Sequence, residues 1–364
     1  MKKNVAVLFG GRSNEHDISV ITGMYAVNLL RGAGYRVIPV YLPTEGGMCY
    51  ARAEGVKDFA GSKLKTVRAY LYDGGLYDAK KRKKLFDIDI ALNCCHGGMG
   101  EDGTLSSLLR WNHIVSASPN AVVSGVFMDK WLGKIAARGL GIPVARGVCV
   151  REGEEVDLHS LGGFPVIVKP VTLGSSIGVK VARSEEELSN ALELAFRLDG
   201  AALVEEYFID KRDINCAAYR KDGKIVVSPL EEVFSSEAIL SFHEKYEEAA
   251  KESEIPASVP ESLAEEIKAY TAKIYETFSC RGVVRADFLI TGDEVYFNEL
   301  NTVPGSLACH LFGKSLIEAR DFLASLIEDA LENKEKEKQI VTTSILQSKV
   351  FSGGKGSKRR GALL

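Results

Sequence analysis

The chain of 364 residues has no apolar run approaching the length of a membrane span. Its first residues read as a strand and not as a signal peptide. Net charge is nearly absent: 46 basic against 49 acidic residues leave −3, so no global field favours nucleic acid or a membrane surface. The seven cysteines (49, 94, 95, 149, 216, 280 and 309) are odd in number and lack CxxC spacing. They read as reduced, mostly buried thiols of a cytoplasmic protein. Cys94 and Cys95 precede His96, but neighbours on a strand face opposite sides, which argues against a shared metal. The segment GGRSNEHD after the first apolar run lacks the GxGxxG spacing of a dinucleotide fingerprint. No internal repeat is visible. What is present is an ordinary globular composition, 46% apolar and 26% charged, and a length for two or three domains.

Asn4 to Phe9 is a continuous apolar run, hence a buried strand, followed by a helix over 17–31 and a second strand over 35–42. Strand–helix–strand implies a parallel sheet. Residues 46–84, polar and basic towards their end, read as a peripheral insertion. A further buried strand, 88–94, ends at His96 and a glycine-rich loop, and 105–111 is a helix. A second unit starts near Val122, with a helix over 128–138, strands over 165–169 and 179–182, and a helix over 184–198. Ser184 is placed to cap that helix, with Glu187 completing a capping box. A strand over 202–207 ends in paired glutamates, and a third unit carries an acidic stretch, a helix over 261–278 and a final hairpin. The expected division is 1–121, 122–204, 205–338 and a tail, 339–364, whose glycine- and lysine-rich end is expected to be disordered.

The hairpin organises the rest. In VVRADFLITGDEVYFNELN, Arg285 and Asp287 share one strand face, and Glu299 and Asn301 share a face of the next. The Thr291-Gly292-Asp293 turn folds them together. Two carboxylates and an amide oxygen suit Mg²⁺, which takes one or two carboxylates plus substrate phosphates. An adjacent arginine suits charge on a transferring phosphoryl group. Many such Asp/Arg neighbours are plain surface salt bridges; the abrupt Thr302-Val303-Pro304-Gly305 turn beside the acids argues against that here.

Other candidates are individually weaker. The loop Thr172 to Gly178 offers backbone N–H groups to phosphate oxygens, although such a loop alone is more often an ordinary connection. It lacks the Gly-Lys-Ser/Thr of a Walker loop. Lys169 ends an apolar strand and needs a partner, which a nucleotide phosphate would supply. Glu205 and Glu206 end another, with Asp213 within reach, and adenine or ribose would satisfy them. Glu15 lies at the carboxyl edge of the first strand, where open α/β sheets bind ligands. It could pair with an amine or simply favour a helix N-terminus. His96 points to the same edge and could equally be structural.

Eight segments in order resemble the D-alanine–D-alanine ligase family of ATP-grasp enzymes: GGRSNEHDIS (10–19), HGGMGEDGT (96–104), MDK (128–130), PVIVKPVTLGSSIGV (165–179), LVEEY (203–207), EKY (244–246), CRGVVRADF (280–288) and FNELNTVPG (297–305). The resemblance runs from residue 4 to about 330 and implies an N-terminal parallel open sheet followed by a two-part ATP-grasp fold. It implies ATP-dependent joining of two D-alanines through an acyl phosphate, for peptidoglycan, in the cytoplasm. Glu15, with His96 nearby, would hold the first D-alanine's amine. Lys130 and Lys169 would contact ATP phosphates, with Ser175 and Ser176 in the loop between the strands. Glu205 or Glu206, with Asp213, would contact the adenosine. Ser175 would support Tyr246 and Glu15, and Lys245 and Tyr246 would belong to a lid. Asp287, Glu299 and Asn301 would hold two Mg²⁺ ions, for which Mn²⁺ can substitute. Arg285 and the Gly305 amide would stabilise the tetrahedral intermediate. A homodimer is a family-level expectation.

The chain departs from the family after Gly305. The usual Phe-Thr-Ser and later serine, which bind the second substrate's carboxylate, are replaced by Ser306-Leu307-Ala308-Cys309-His310-Leu311. His310 falls on the later serine, with Ser306 and Leu311 beside the acceptor. The lid reads FHEKY, with His243 in place of a carboxylate. A charged histidine there would attract the acceptor's carboxylate and repel its ammonium. Because Tyr246 is retained, D-alanine is the expected acceptor at neutral to alkaline pH, with D-serine or D-lactate the alternatives and a hydroxy-acid product expected only as pH falls. A nucleotide-binding module without ligase activity is the rival of another class, but mere ATP binding does not need Arg285, Asp287, Glu299 and Asn301 together.

Overall fold

The computed structural model describes residues 2–61, 64–234 and 253–334. Most of the acidic stretch expected over 235–258, namely residues 235–252 with His243, Lys245 and Tyr246, and the tail from 339 lie outside the described residues. The described residues up to Glu332 form one compact unit.

The first sheet has seven strands: β1 (Asn4–Gly10), β2 (Arg36–Leu42), β3 (Met48–Arg52), β4 (Lys65–Tyr72), β5 (Gly75–Asp78), β6 (Lys84–Asp87) and β7 (Ile90–Asn93), in the order β6-β5-β4-β3-β2-β1-β7. β1 pairs in parallel with β2 and β7. It is buried on both faces, which is why it reads as an unbroken apolar run. Val5, Val7 and Phe9 pack with Val20, Met24 and Leu30 of helix α1 (His16–Gly32), while Ala6 and Leu8 pack with Leu105 and Leu109 of α2 (Thr104–Trp111). The segment read as a peripheral insertion instead extends the same sheet by four antiparallel strands. Half-buried alternation such as KTVRAYLY fits an antiparallel strand with one wet face. Cys94 and Cys95 enter the two opposite cores, as strand parity requires. All seven cysteines are free, and all but Cys149 are buried.

Two helices follow where one was expected: α3 (Ala121–Met128) and α4 (Lys130–Gly139). The chain breaks at Asp129, whose backbone is extended and whose carboxylate accepts from Leu132 N at 2.8 Å. Asn120 caps α3 in the same way, accepting from Val122 N at 2.9 Å. The break sends Lys130 and Lys134, one turn apart, towards the interior.

The second sheet has the order β10-β9-β11-β8, with β8 (Gly147–Val150), β9 (Val166–Pro170), β10 (Lys180–Ala182) and β11 (Ala202–Glu206). β11 runs through Glu206, two residues past the boundary expected at 204. Helix α5 (Glu185–Leu198) packs on this sheet. Ser184 caps it, accepting from Glu187 N at 3.2 Å, but the Glu187 carboxylate accepts from Arg183 N at 2.7 Å, one residue before the cap, so the expected box is displaced.

The third sheet runs β15-β14-β12-β16-β17, with β13 also on β12. Its strands are β12 (Arg212–Lys221), β13 (Lys224–Val227), β14 (Glu231–Val233), β15 (Ser253–Glu254), β16 (Val284–Thr291) and β17 (Glu294–Asn301). Helices α6 (Glu261–Thr277) and α7 (Leu316–Glu332) flank it, α7 packing against both β12 and α1. Only Gly292-Asp293 lie between the paired residues Thr291 and Glu294, and Gly292 takes φ +57° as a tight hairpin turn requires. Register puts Arg285 opposite Asn301, Asp287 opposite Glu299, and Phe288 opposite Phe297. Asn298 is therefore an extra residue, a β-bulge. The bulge changes the parity of β17: Val295, Phe297 and Leu300 are buried in the core, while Asn298, Glu299 and Asn301 are not.

Candidate active site

Two cavities open beside the hairpin, of about 160 Å³ and about 460 Å³. The first is lined by Lys169, Ser176, Glu205, Glu206, Asp213 and Asp287. The second is lined by Glu15, His96, Asn301, Gly305, Ser306 and His310. Lys130, Ser175, Arg285 and Glu299 line both. Leu311 lines neither as described: its side chain is 4% exposed and belongs to the first core, so only its backbone could meet a substrate.

The Glu15 carboxylate reaches the second cavity because two glycines admit it. A Cβ at Gly97 would stand 2.9 Å from Glu15 Oε2, and one at Gly174 would stand 2.7 Å from it. Ser175 Oγ donates to Glu15 Oε1, so the loop between β9 and β10 and the carboxyl edge of β1 meet across the site. Ser175 and Ser176 both have left-handed backbone, at φ +53° and +57°. Thr172 anchors the start of this loop through its N and Oγ1 on Asp199 Oδ2, at 2.6 and 2.9 Å.

On the hairpin, Arg285 makes a two-pronged bond to Asp287, Nε to Oδ1 at 2.7 Å and Nη2 to Oδ2 at 2.8 Å. Asn301 Nδ2 donates to Asp287 Oδ2 at 2.9 Å. Burial disfavours the guanidinium charge, but Asp287, Glu231 and Glu299 outweigh it and keep Arg285 cationic. Lys130 Nζ donates to Leu173 O and stands 3.8 Å from Glu299. Beyond Gly305, Ser306, Leu307 and Ala308 are three successive left-handed residues, a costly backbone for non-glycine side chains.

Several residues take partners that local pattern did not reveal. Lys169 does not wait for a phosphate: its Nζ meets Glu205 Oε2 at 2.8 Å and Asn298 Oδ1 at 3.0 Å. Glu205 Oε1 meets Lys134 Nζ at 2.7 Å. Glu206 accepts from Arg146 N and Nε, both at 2.7 Å. Lys211 holds Asp213. His96 is structural as well as adjacent: it is 5% exposed, its Nε2 shares a hydrogen bond with Thr22 Oγ1 at 2.9 Å, and burial pushes its pKa down to about 4.

Three residues that line the cavities, and one behind them, lie outside the expected site residues. Glu101 lines the second cavity and accepts from Gly97 N at 2.7 Å and Val303 N at 3.0 Å, tying the glycine loop to the turn after β17. It lies within HGGMGEDGT, so its signal was in view. Burial and the charges of Glu15 and Glu299 raise its pKa to about 8 against the pull of those two N–H groups. Glu231, in the three-residue strand β14, receives Asn215 Nδ2 at 2.9 Å and pairs with His310 Nε2 at 3.2 Å. Burial alone would raise its carboxyl, but the bonds from His310 and Asn215 hold it down to about 2. Asn298 and Lys134 complete the set. Among the described residues no group of three or more His, Cys, Asp and Glu is arranged to hold a metal unaided. Two carboxylates and one amide of hard oxygen nonetheless fit an ion that takes its other ligands from substrate phosphates.

The two cavities share one edge of lysine, serine, arginine and glutamate side chains. Comparison with known proteins gives the class of the protein, a ligase. The family descriptions "D-ala D-ala ligase N-terminus" and "D-ala D-ala ligase C-terminus" match residues 4–116 and 138–332. A D-alanine–D-alanine ligase of Caldicellulosiruptor bescii is 32% identical over 359 residues, covering 93% of this chain and 98% of the relative. One of Thermosipho melanesiensis is 33% identical, covering 95% and 99%. Among solved structures, the D-alanine–D-alanine ligase of Helicobacter pylori superposes with a TM-score of 0.73 at 28% identity, covering 92% and 100%. The VanG D-Ala:D-Ser ligase of Enterococcus faecalis gives 0.77 at 26%, covering 90% and 99%. The chain belongs to the D-alanine–D-alanine ligase family. Its mixed α/β fold is the ATP-grasp fold of that family, and no described helix is long and apolar enough to cross a membrane.

Proposed function

We propose that this enzyme joins two D-alanines at the expense of ATP, and that the first cavity takes ATP while the second takes the amino acids. The observation that carries the reading is the shared edge of Lys130, Ser175, Arg285 and Glu299. A γ-phosphoryl group there can be approached by a carboxylate from the other side.

A carboxylate resists an amine because its charge repels the nucleophile and oxide leaves poorly. Its oxygen therefore attacks the γ-phosphorus, the bond to the ADP oxygen breaks, and an acyl phosphate forms. The second D-alanine, having lost an ammonium proton, attacks the acyl carbon, and phosphate departs from the tetrahedral intermediate. In this reading Glu15 holds the donor ammonium, and Lys130 and Lys169 bind phosphate. Arg285 and the Gly305 N–H stabilise the oxyanion; one such donor is worth roughly 2.7–4 kcal/mol in other enzymes. Asp287, Glu299 and Asn301 would hold Mg²⁺ or Mn²⁺, whose chemistry is to neutralise phosphate charge during transfer. Both glutamates have cationic partners, but Glu205 is sealed between two lysines while Glu206 is the more exposed, which favours Glu206, with Asp213, as the carboxylate nearer the adenosine. Lys245 and Tyr246 would close over the site to exclude water, since acyl phosphates hydrolyse. The contact from Ser175 to Glu15 supports the part of that network that is described.

We assign residues 1–121 to donor binding, 122–204 and 205–338 to the two halves that grip ATP, and the protein to the cytoplasm, where free thiols and ATP are both at home. The test is ATP consumption with D-alanine, D-serine and D-lactate, with products identified by mass. D-alanyl-D-alanine is the expected product. A depsipeptide or D-alanyl-D-serine would change the acceptor, and absence of any ATP-dependent product would leave a binding module.

A further inference from the structure

Lys134 lines neither cavity, yet it is among the most deeply buried cations of the described chain, at 2% exposure. It stands one turn after Lys130 on α4, and its Nζ lies 2.7 Å from Glu205 Oε1 and 3.4 Å from Phe297 O. Glu205 is 1% exposed, and Oε1 has no partner of good hydrogen-bond geometry, so the Lys134 ion pair is its compensation. The other oxygen, Oε2, meets Lys169 at 2.8 Å. One carboxylate is thus shared by two ammonium groups, one facing the first cavity and one sealed behind it.

The charges decide what the arrangement does. Two lysines and one glutamate leave a single net positive charge next to the cavity. With Lys134 neutral, Glu205 and Lys169 would cancel, and Lys169 would be drawn into a closed pair. Burying an ion pair costs desolvation, and a simple pair would be no better than apolar packing. The lone cation left over is the useful product of the triad, because a polyphosphate supplies the missing anion.

We propose that Lys134 is a positioning residue for ATP: by sharing the charge of Glu205 it keeps Lys169 available to the nucleotide phosphates. This rests on the reading of the first cavity as the ATP site. Lys134→Met should weaken binding of ADP, measured by isothermal titration, and raise KM for ATP, each by about tenfold or more, as expected for loss of a charge-assisted contact. KM for D-alanine should change little. The variant Lys134→Met with Glu205→Gln carries the same net charge as the parent, and should recover most of the nucleotide affinity. If the single variant does not fold, the double variant still decides the matter: near-parental ADP affinity supports the proposal, and affinity as poor as that of Lys169→Met overturns it. An unchanged Kd for ADP in a folded Lys134→Met protein also overturns it. Should the parent itself fail to bind ADP, the assignment of the cavity falls, and this proposal with it.

Discussion

Glu101 offers a test in which sign and size both follow from the structure. Its carboxylate bridges Gly97 N and Val303 N, and its folded pKa is about 8 against an ordinary 4.5. The unfolded chain releases this proton near 4.5, whereas the folded chain keeps it to about 8. Between those values the folded state binds more protons, so this group makes stability fall as pH rises, and the effect ends above 8. At about 1.36 kcal/mol for each pH unit, the loss is on the order of 3–5 kcal/mol. Glu101→Gln cannot ionise and has no such loss, but its NH₂ faces a backbone N–H, which costs about 1–3 kcal/mol for a buried donor left unsatisfied. Denaturant unfolding of parent and variant at pH 5 and pH 9 separates these effects. The variant should be the less stable at pH 5, and the gap should close or reverse at pH 9. A gap that is the same at both would refute a raised pKa at Glu101.

Other expectations are simpler. Glu299→Gln should abolish turnover while circular dichroism and the melting temperature stay near the parent's, since this side chain is 30% exposed and not part of the core; retained activity would remove Glu299 from the phosphate site. Glu15→Gln should raise KM for the donor D-alanine by the equivalent of roughly 1.5–3 kcal/mol and leave KM for ATP alone; a change confined to ATP would mean that Glu15 is misplaced. His310→Ser deprives Glu231 of its partner at 3.2 Å and leaves a less compensated anion in the second cavity. That anion should disfavour D-lactate, which is purely anionic, more than D-alanine with its ammonium, so competition between the two should shift towards the dipeptide. An unchanged product ratio would put His310 outside acceptor choice.

What could be read from the sequence was what local pattern and a family resemblance encode. The Arg285–Asp287 and Glu299–Asn301 faces followed from strand period and a short turn. Asn298 did not, because a bulge breaks the period without any glycine or proline to announce it. Ser175 and Glu15 are 160 residues apart, and only the resemblance joined them. Lys169 was correctly read as needing a partner, but the partner, Glu205, depends on the antiparallel pairing of β9 with β11. Lys134 carried a signal that went unused: it is one helical turn from Lys130, on the same face. The split of 121–139 into two helices was also signalled, by Asn120 and Asp129 as capping residues. The four strands over 48–87 were hidden by their charge, which belongs to the wet face of an antiparallel sheet.

The bulge in β17 gives the hairpin one side chain more than a regular ladder would present. Were the ladder regular, Asn298 would stand opposite Asp287 and Glu299 opposite Ala286, whose side chain is in the core. A carboxylate would then take the place of Leu300 in the core beside Phe288 and Phe297. The extra residue lets consecutive side chains serve two ligands, Asn298 the lysine of the first cavity and Glu299 the edge between the two. Substitutions along the strand alter one contact each. Deleting Asn298 would leave Glu299 opposite Asp287 and Asn301 opposite Arg285 in a regular ladder, and would remove only the contact to Lys169. The bulge thus adds a ligand for the first cavity without moving the groups that follow it.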